Sequence, residues 1–526
     1  MLNKITLKNY KAFDEVSIPI KPLTILLGAN SVGKSSITQM LMLLHQTAEE
    51  RGYLYSSALK IYGKYVNVGA FENLYKKKIT DKPLELDLVF SSERLTKQIH
   101  SLREEFVDEF RTLCGYFPLK NLWDLRQAKV NTKKDFTDFI KIFFELINKR
   151  GADNYKPQME YFLLHRLGIP RSEIKKQTHS NILHTYSLLS YLEKELTNDD
   201  FRIEYIISLN KEKTKLYIDY VSFYVNEKIK ILSYKKNPED SEIESNIVPL
   251  DLEDERIIKL FMNNNKTIFD CVSYMADDDS NTSAMTYAMS RILRMIINEV
   301  TESLSEYRIN YVSPLRAHPK RYYMLDKAKT TISLDTLDGD AIAEVLKENN
   351  DLKKRVNSWF KKFGFEIDVK GFKEVIHHVN VTQNNLSLDI TDVGFGISQV
   401  LPIIIQGFLS MDDSITIIEQ PEIHLHPMMQ ADLGDLFIDI INSSNKKLII
   451  ETHSEYLLKR IRRRISEGKK ISPDMVSICL FHPKTDKKDA WVEVLEIGDK
   501  GSFVWPEEFY GGELYNDTVE FLKNQG

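Results

Sequence analysis

The chain has 526 residues, of which 42% are hydrophobic and 28% charged, with a formal net charge of −5. That length exceeds what one hydrophobic core organises and predicts roughly two or three domains, or one core with a large insertion. No apolar run approaches the roughly 20 residues of a membrane span, the net charge gives no global attraction to nucleic acid, and Cys114, Cys271 and Cys479 are scattered without disulfide or zinc spacing, so a transmembrane chain and a cysteine-built scaffold are excluded and a reducing cytoplasm is expected.

The chain opens into a strand pattern, with Ile5 and Leu7 alternating with polar residues, so no signal peptide is expected. Further short strands are predicted at Val16 to Ile20, Leu23 to Leu27 and Leu84 to Phe90. After the third comes Gly28-Ala-Asn-Ser-Val-Gly-Lys-Ser-Ser36, and then Ile37, Met40, Leu41 and Leu44 recur at helical spacing. A Gly-x-x-x-x-Gly-Lys-Ser run between a buried strand and a helix has the context of a phosphate-binding P-loop. Gly28 and Gly33 let the backbone curl until its N–H groups point inward, and the helix N-terminus adds its positive end. Asn30, Ser31, Gly33, Lys34, Ser35 and Ser36 are the expected nucleotide contacts. Lys34 would reach the β- and γ-phosphates and Ser35 would bind Mg²⁺. A nucleoside triphosphate is the expected ligand.

Residues 1–94 are expected to form an N-terminal lobe around this loop. From 95 to 200 the pattern becomes helical, as in Phe106, Phe110 and Leu113, then Phe139, Ile142, Phe143 and Leu146, broken near Gly168-Ile169-Pro170. Within 201–250 the period switches to two: Ile203, Tyr205 and Ile207, then Leu216, Ile218 and Tyr220, then Val221, Phe223 and Val225. Lys235 to Asn246 is expected to be a polar loop. Asp277-Asp278-Asp279, in the helical segment 251–305, could bind a cation, but a flexible loop or a helix start is the favoured reading. From 306 to 526 strands and helices alternate, as α/β architecture demands.

Ser414 to Ile418 is an apolar strand ending in Glu419-Gln420-Pro421-Glu422-Ile423-His424-Leu425-His426-Pro427, and a second strand at Lys447 to Ile450 ends in Glu451-Thr452-His453-Ser454. Acidic groups at the carboxyl ends of parallel strands lie where open α/β sheets bind ligands. Upstream, Asp392 to Gln399 is glycine-rich and expected to open a helix near Gln399. His424 and His426 lack a further ligand, so a zinc pair is not expected. The densest basic run, Lys459 to Arg464, is either a solvated helix face or a surface for phosphates or a partner.

In this order the segments resemble the ATP-binding-cassette ATPases of the SMC/RecF/OLD group. The resemblance implies an α/β fold: an ABC-type P-loop ATPase head with a mixed sheet, flanking helices, an antiparallel β subdomain and a large helical insertion. The segments Lys8 to Phe13, Tyr311 to Arg316 and Gly501 to Pro506 are similar to a prokaryotic subgroup that includes the ATPase components of the antiphage systems Septu and PARIS. The likeness covers roughly the two ends of the chain and leaves its middle unassigned. It implies ATP and Mg²⁺ as ligands and a head-to-head dimer. Gly394, Gly396, Ser398 and Gln399 would form a signature loop serving the nucleotide of the partner subunit, Glu419 would help hold the metal with Ser35, and His453 would contact the γ-phosphate, although a buried structural histidine is its alternative.

This sequence departs from that pattern at Gln420, where the group usually carries a glutamate. An amide can orient water but cannot take its proton, and general-base help is worth about 10²–10⁴ in rate. Slow hydrolysis is expected, unless Glu422, or less directly Glu451, substitutes. The leading expectation is a cytoplasmic, dimerising ATPase that senses or scaffolds and controls a separate effector such as an HNH or Toprim nuclease in antiphage defence. Asp499-Lys500-Gly501 and His377-His378 lack the context of a nuclease site in this chain itself. The alternatives are a RecF-like repair ATPase that contacts DNA through Arg462, Arg463 and Arg464, and an ATP-bound scaffold that does not hydrolyse.

Overall fold

The computed structural model describes the chain apart from residues 50–56, 117–119, 148–155, 168, 170–178, 198, 227, 238–240, 249–256, 262–266, 274–282, 306, 317, 325–340, 374–375, 486–487, 504–518 and 526. The Asp277 to Asp279 run, Gly168, Pro170 and Val504 to Pro506 lie outside the described residues. Strands β1 (Leu2–Tyr10), β2 (Phe13–Pro19) and β3 (Leu23–Gly28) precede helix α1 (Lys34–Glu49). Strand β4 (Leu84–Phe90) leads into α2 (Glu93–Tyr116), α3 (Lys120–Arg126), α4 (Lys133–Ile147), α5 (Lys156–Leu167) and α6 (Ser180–Leu196). Then come β5 (Phe201–Leu209), β6 (Leu216–Val225), β7 (Ile229–Lys236), β8 (Ser241–Glu244) and α7 (Ala284–Ser303). The remainder contains β9 (Ile309–Val312), β10 (Tyr323–Met324), α8 (Ala341–Glu348), α9 (Asn350–Phe360), β11 (Phe365–Lys373), β12 (Ile376–Gln383) and β13 (Leu386–Asp389). It closes with α10 (Phe395–Leu409), β14 (Ser414–Glu419), α11 (Pro427–Ser443), β15 (Lys446–Glu451), α12 (Glu455–Glu467), β16 (Val476–His482) and β17 (Trp491–Leu495).

These elements form two compact units, residues 1–9 with 46–302 and residues 10–45 with 303–526. The segments 95–200 and 201–250 fall in the first unit, and 1–94 is divided between the two. The architecture is the mixed α/β one expected, and among the described residues no helix is long and apolar enough to cross a membrane.

In the first unit β1, β4, β5, β6, β7 and β8 follow one another in an antiparallel sheet. Residues of β4 and the first seven of β5 alternate between fully and partly buried, the pattern of a sheet with one face on the core. In β6 the apolar phase changes between Tyr220 and Val221 because the pairing with β5 jumps from Tyr220 to Ile218, leaving Asp219 as a bulge; one extra residue turns every later side chain to the opposite face. The expected loop over 235–246 is partly strand, since β8 pairs with β7 through Lys236↔Ser241 and Ser233↔Glu244. Opposite charges on that pair compensate for its polarity, with Lys230 on Glu244 at 2.7 Å and Lys235 on Glu242 at 3.6 Å. On α4 the buried stripe is Phe136, Phe139, Ile140, Phe143, Phe144 and Ile147, which leaves the predicted core residue Ile142 exposed. Phe136 stacks on Tyr186 of α6 with centroids 4.2 Å apart, and Phe143 meets Phe110 of α2 edge-on at 5.4 Å, so aromatic contact ties these helices together.

The second unit is built on a sheet of order β17-β16-β3-β15-β14-β9, parallel except for β17. Every residue of β3 and β15 is buried, as expected of parallel strands covered on both faces. The strand order inserts β15 between β3 and β14, so the P-loop, Glu451 and Glu419 emerge side by side at one sheet edge. Beside it β10, β12 and β11 form a small antiparallel sheet, with β13 on β12. The helix expected near Gln399 begins earlier, at Phe395, with Gly394 as its N-cap. Burial of Ile397, Val400 and Leu401 extends the apolar stripe back into the glycine-rich segment and draws it into the helix.

Candidate functional site

The turn after β3 is fixed by two glycines. Gly28 has φ +143°, and a Cβ there would lie 2.6 Å from the Phe481 carbonyl oxygen; Gly33 has φ +107°, and its Cβ would lie 2.5 Å from the Phe13 ring. Only glycine fits such a conformation at such close approach. The loop so formed borders a cleft of about 520 Å³ lined by Lys11, Asn30, Ser31, Gly33 to Ser36, Gln39, Gln420 and Glu451, a volume ordinary for a small-molecule site. All the residues predicted for the P-loop meet there. Lys11 and Gln39, hydrogen-bonded to each other, were not singled out from the sequence; Gln39 lies one helical turn after Ser35, which is the signal that would find it.

Lys34 is buried, and its ammonium donates to the carbonyls of Gly28 at 3.0 Å and Ala29 at 2.7 Å. Burial lowers its pKa, opposed by Glu451 and Glu422. The Ser35 hydroxyl donates to Glu451 Oε1 at 3.0 Å, whereas Thr38, one turn up the same helix, donates to Glu419 Oε1 at 2.6 Å. Glu419 and Glu451 are register partners in adjacent parallel strands. Burial and then the neighbouring Glu419 push the Glu451 carboxyl up to about 7, against the pull of Lys34 and Ser35. Burial also raises Glu419, and hydrogen bonds from Thr38 and Tyr311 oppose it.

Gln420 follows β14 with φ +45°, and its N–H donates to the Glu451 carbonyl at 2.7 Å. The buried Arg316 guanidinium secures this turn, donating through Nη2 to the carbonyls of Glu419 and Gln420, each at 3.1 Å. Burial pushes Arg316 down to about 10, with Glu422 opposing. Glu422 does not line the cleft. Its two oxygens accept from Thr452 Oγ1 and from the His453 N–H, both at 2.7 Å, so it braces the turn after β15. His453 is lowered by burial and by Lys34, and its Nε2 is buried without a hydrogen-bond partner among the described residues.

The remaining predicted residues lie apart from the cleft. Gly394, Gly396, Ser398 and Gln399 occupy the start of α10, with Ser398 and Gln399 buried. His426 caps α11, its ring nitrogen accepting from the Met428 N–H at 3.3 Å, and no group of three potential metal ligands occurs among the described residues. His377 bonds Lys347 and His378 faces Asp389 at 3.5 Å. The basic run on α12 is spent on its own unit. Arg460 pairs with Asp432 and Asp435, Arg464 with Asp435 and Glu467, Arg463 with Glu467, and Arg462 donates to the Gly501 carbonyl. Asp435 therefore clamps α12 to α11, and its carboxyl is held low by the two arginines despite burial. Replacing Asp435 with Asn should destabilise this unit by about 1–2 kcal/mol, seen as a lower urea midpoint, because two partly buried cations lose their shared partner. An unchanged midpoint would mean the clamp contributes nothing.

The residues fit a Mg²⁺-nucleotide on two counts. The buried Glu451 Oε2 has no hydrogen-bond partner among the described residues and sits in the cleft beside the Ser35 hydroxyl, where a hard cation takes oxygen donors. The unpartnered His453 Nε2 and the loop N–H groups offer donors to phosphate oxygens.

Among solved structures the chain is similar to an SMC head bound to the C-winged helix domain of ScpA, at 11% identity over 94% of this chain and 98% of that one, TM-score 0.40. It is also similar to the SMC head domain of Thermotoga maritima, at 8% identity over 94% and 99%, TM-score 0.34. A Pyrococcus furiosus Smc head with an extended coiled coil, bound to the C-terminal domain of ScpA, matches at 10% identity over 99% of each chain, TM-score 0.35. Comparison with curated proteins gives no match. The family model described as an AAA ATPase domain matches residues 1–458, and the chain belongs to that ATPase family.

Proposed function

We propose that this ATPase binds MgATP in the cleft between the P-loop and Gln420, self-associates around it and hydrolyses it slowly. The observation that carries this reading is the position of Gln420: it lines the cleft with its backbone pinned by Arg316 and Glu451, while Glu422 has both carboxylate oxygens engaged elsewhere. Phosphoryl transfer depends chiefly on positioning and charge stabilisation. Lys34, released from the loop carbonyls, would neutralise phosphate charge. Gln420 would hold the attacking water through its amide without taking the proton, and His453 Nε2 would meet the γ-phosphate. Mg²⁺, when bound, would supply neutralisation of phosphate charge. Gly394, Gly396, Ser398 and Gln399 would serve the nucleotide held by a second copy.

A long-lived ATP-bound dimer suits a sensor or scaffold that controls a partner effector. We assign that effector to the nuclease class, with antiphage defence as the setting, on the resemblance of the motif order alone. Cys114, Cys271 and Cys479 are buried and form no disulfide among the described residues, which suits a reducing cytoplasm. The DNA-binding alternative draws no support from Arg462, Arg463 and Arg464, whose side chains are already engaged.

The test is mass photometry and phosphate release on one sample with ATP and Mg²⁺. A dimer that outlives many minutes with turnover far below one per second supports the reading. A monomer with brisk turnover refutes it. Glu422→Gln is expected to reduce nucleotide affinity severalfold by loosening the Thr452–His453 turn; selective loss of turnover with affinity intact would instead identify Glu422 as the base.

A further inference from the structure

Building on the reading of the cleft as a MgATP site, we infer that Arg316 is a positioning residue for hydrolysis: it holds Gln420 in a left-handed conformation and so keeps the Gln420 amide in the cleft wall. Gln420 is followed by Pro421, and a residue before proline is driven toward extended backbone by its clash with the ring. The φ of Gln420 is instead +45°, a value that is unfavourable for a residue with a side chain and persists only where the surroundings over-determine it. Two restraints meet here. The Gln420 N–H donates to the Glu451 carbonyl at 2.7 Å, and the Gln420 carbonyl accepts from Arg316 Nη2 at 3.1 Å. The first continues the pairing of β14 with β15 beyond Glu419↔Glu451. The second depends on one side chain.

Short steps deliver Arg316 to this point. β9 pairs with β14 through Val312↔Ile418, and Ser313 Oγ closes the following turn by donating to the Leu315 carbonyl at 2.7 Å. Arg316 then turns inward, only 5% exposed, and the same Nη2 also reaches the Glu419 carbonyl at 3.1 Å. Its Nε and Nη1 are buried with no hydrogen-bond partner among the described residues. A guanidinium carries five N–H donors, and burying a cation with most of them unmet works against stability. Stability alone therefore does not account for an arginine at this position, whereas a fixed carbonyl at Gln420 does. Without Arg316, Gln420 relaxes toward the extended backbone that Pro421 favours, and the change in φ swings its side chain off the cleft.

The experiment measures phosphate release at saturating ATP and Mg²⁺, and affinity for a non-hydrolysable ATP analogue, on the full chain. The proteins are wild type, Arg316→Met, Arg316→Lys, Gln420→Ala and the double variant Arg316→Met/Gln420→Ala. Arg316→Met fills similar space without donors and should lower kcat by about 10–10²-fold, the scale of a misplacement near 1 Å, with analogue affinity unchanged. Arg316→Lys returns a donor to the two carbonyls and should recover part of that loss. In Gln420→Ala the positioned side chain is gone, so adding Arg316→Met should lower kcat no further. An equal loss in both backgrounds, or a fall in affinity with kcat intact, would overturn the inference. If Arg316→Met does not melt cooperatively, Arg316→Gln takes its place in both backgrounds with the same expectation, because its shorter amide does not reach the carbonyls. Wild type that binds no analogue, or releases no phosphate, would instead remove the reading of the site underneath.

Discussion

Gln420→Glu is expected to raise ATP turnover by about 10²-fold or more, toward the full 10²–10⁴ of general-base assistance, and to shorten the life of the ATP-bound dimer in proportion. The geometry favours a clean result. The contacts that hold this position are made by the backbone, from its N–H to Glu451 and from its carbonyl to Arg316. Exchanging amide for carboxylate leaves them in place. Phosphate release and dimer lifetime, measured on wild type and variant together, decide the matter. Equal turnover in the two proteins would show that the step limiting the cycle is not proton removal from water, and the explanation of slow hydrolysis through Gln420 would fall.

Lys34→Ala should weaken nucleotide binding by about 10²-fold, from the loss of charge-assisted hydrogen bonds worth roughly 1.5–3 kcal/mol. It should also lower stability by about 1–2 kcal/mol. The ammonium is buried and donates to the carbonyls of Gly28 and Ala29, and its removal leaves those acceptors unpaired beside Glu451. Fluorescence titration with a labelled ATP, alongside a thermal melt, separates the two effects. Lys34→Arg keeps the charge but not the slim reach through the loop, so it should recover part of the stability and little of the affinity. Undiminished affinity in Lys34→Ala would exclude this loop as the phosphate site.

The local sequence determined the P-loop, the strands that flank it and the residue types at the ends of β14 and β15, because each depends on short-range constraints: glycines where only φ > 0 fits, and apolar runs that must be buried. It also gave the character of the helical segment, whose aromatic spacing is that of an amphipathic helix. Where periodicity failed, the cause lay in partners far along the chain. The phase of β6 depends on a bulge against β5. The polar β8 is a strand because β7 presents opposite charges to it, and α10 begins early because its first apolar residues are buried in the core of its unit. The placement of the acidic residues follows strand order. Glu422 stands two residues from Gln420 in sequence, yet folding turns it onto Thr452 and His453, while Glu451, distant in sequence, is brought against Ser35 because β15 pairs directly with β3. A linear pattern records which groups are available; the hydrogen-bonded order of strands decides which of them meet, since neighbouring strands lie about 4.8 Å apart and one position in that order separates a carboxylate in the cleft from one fastened behind it.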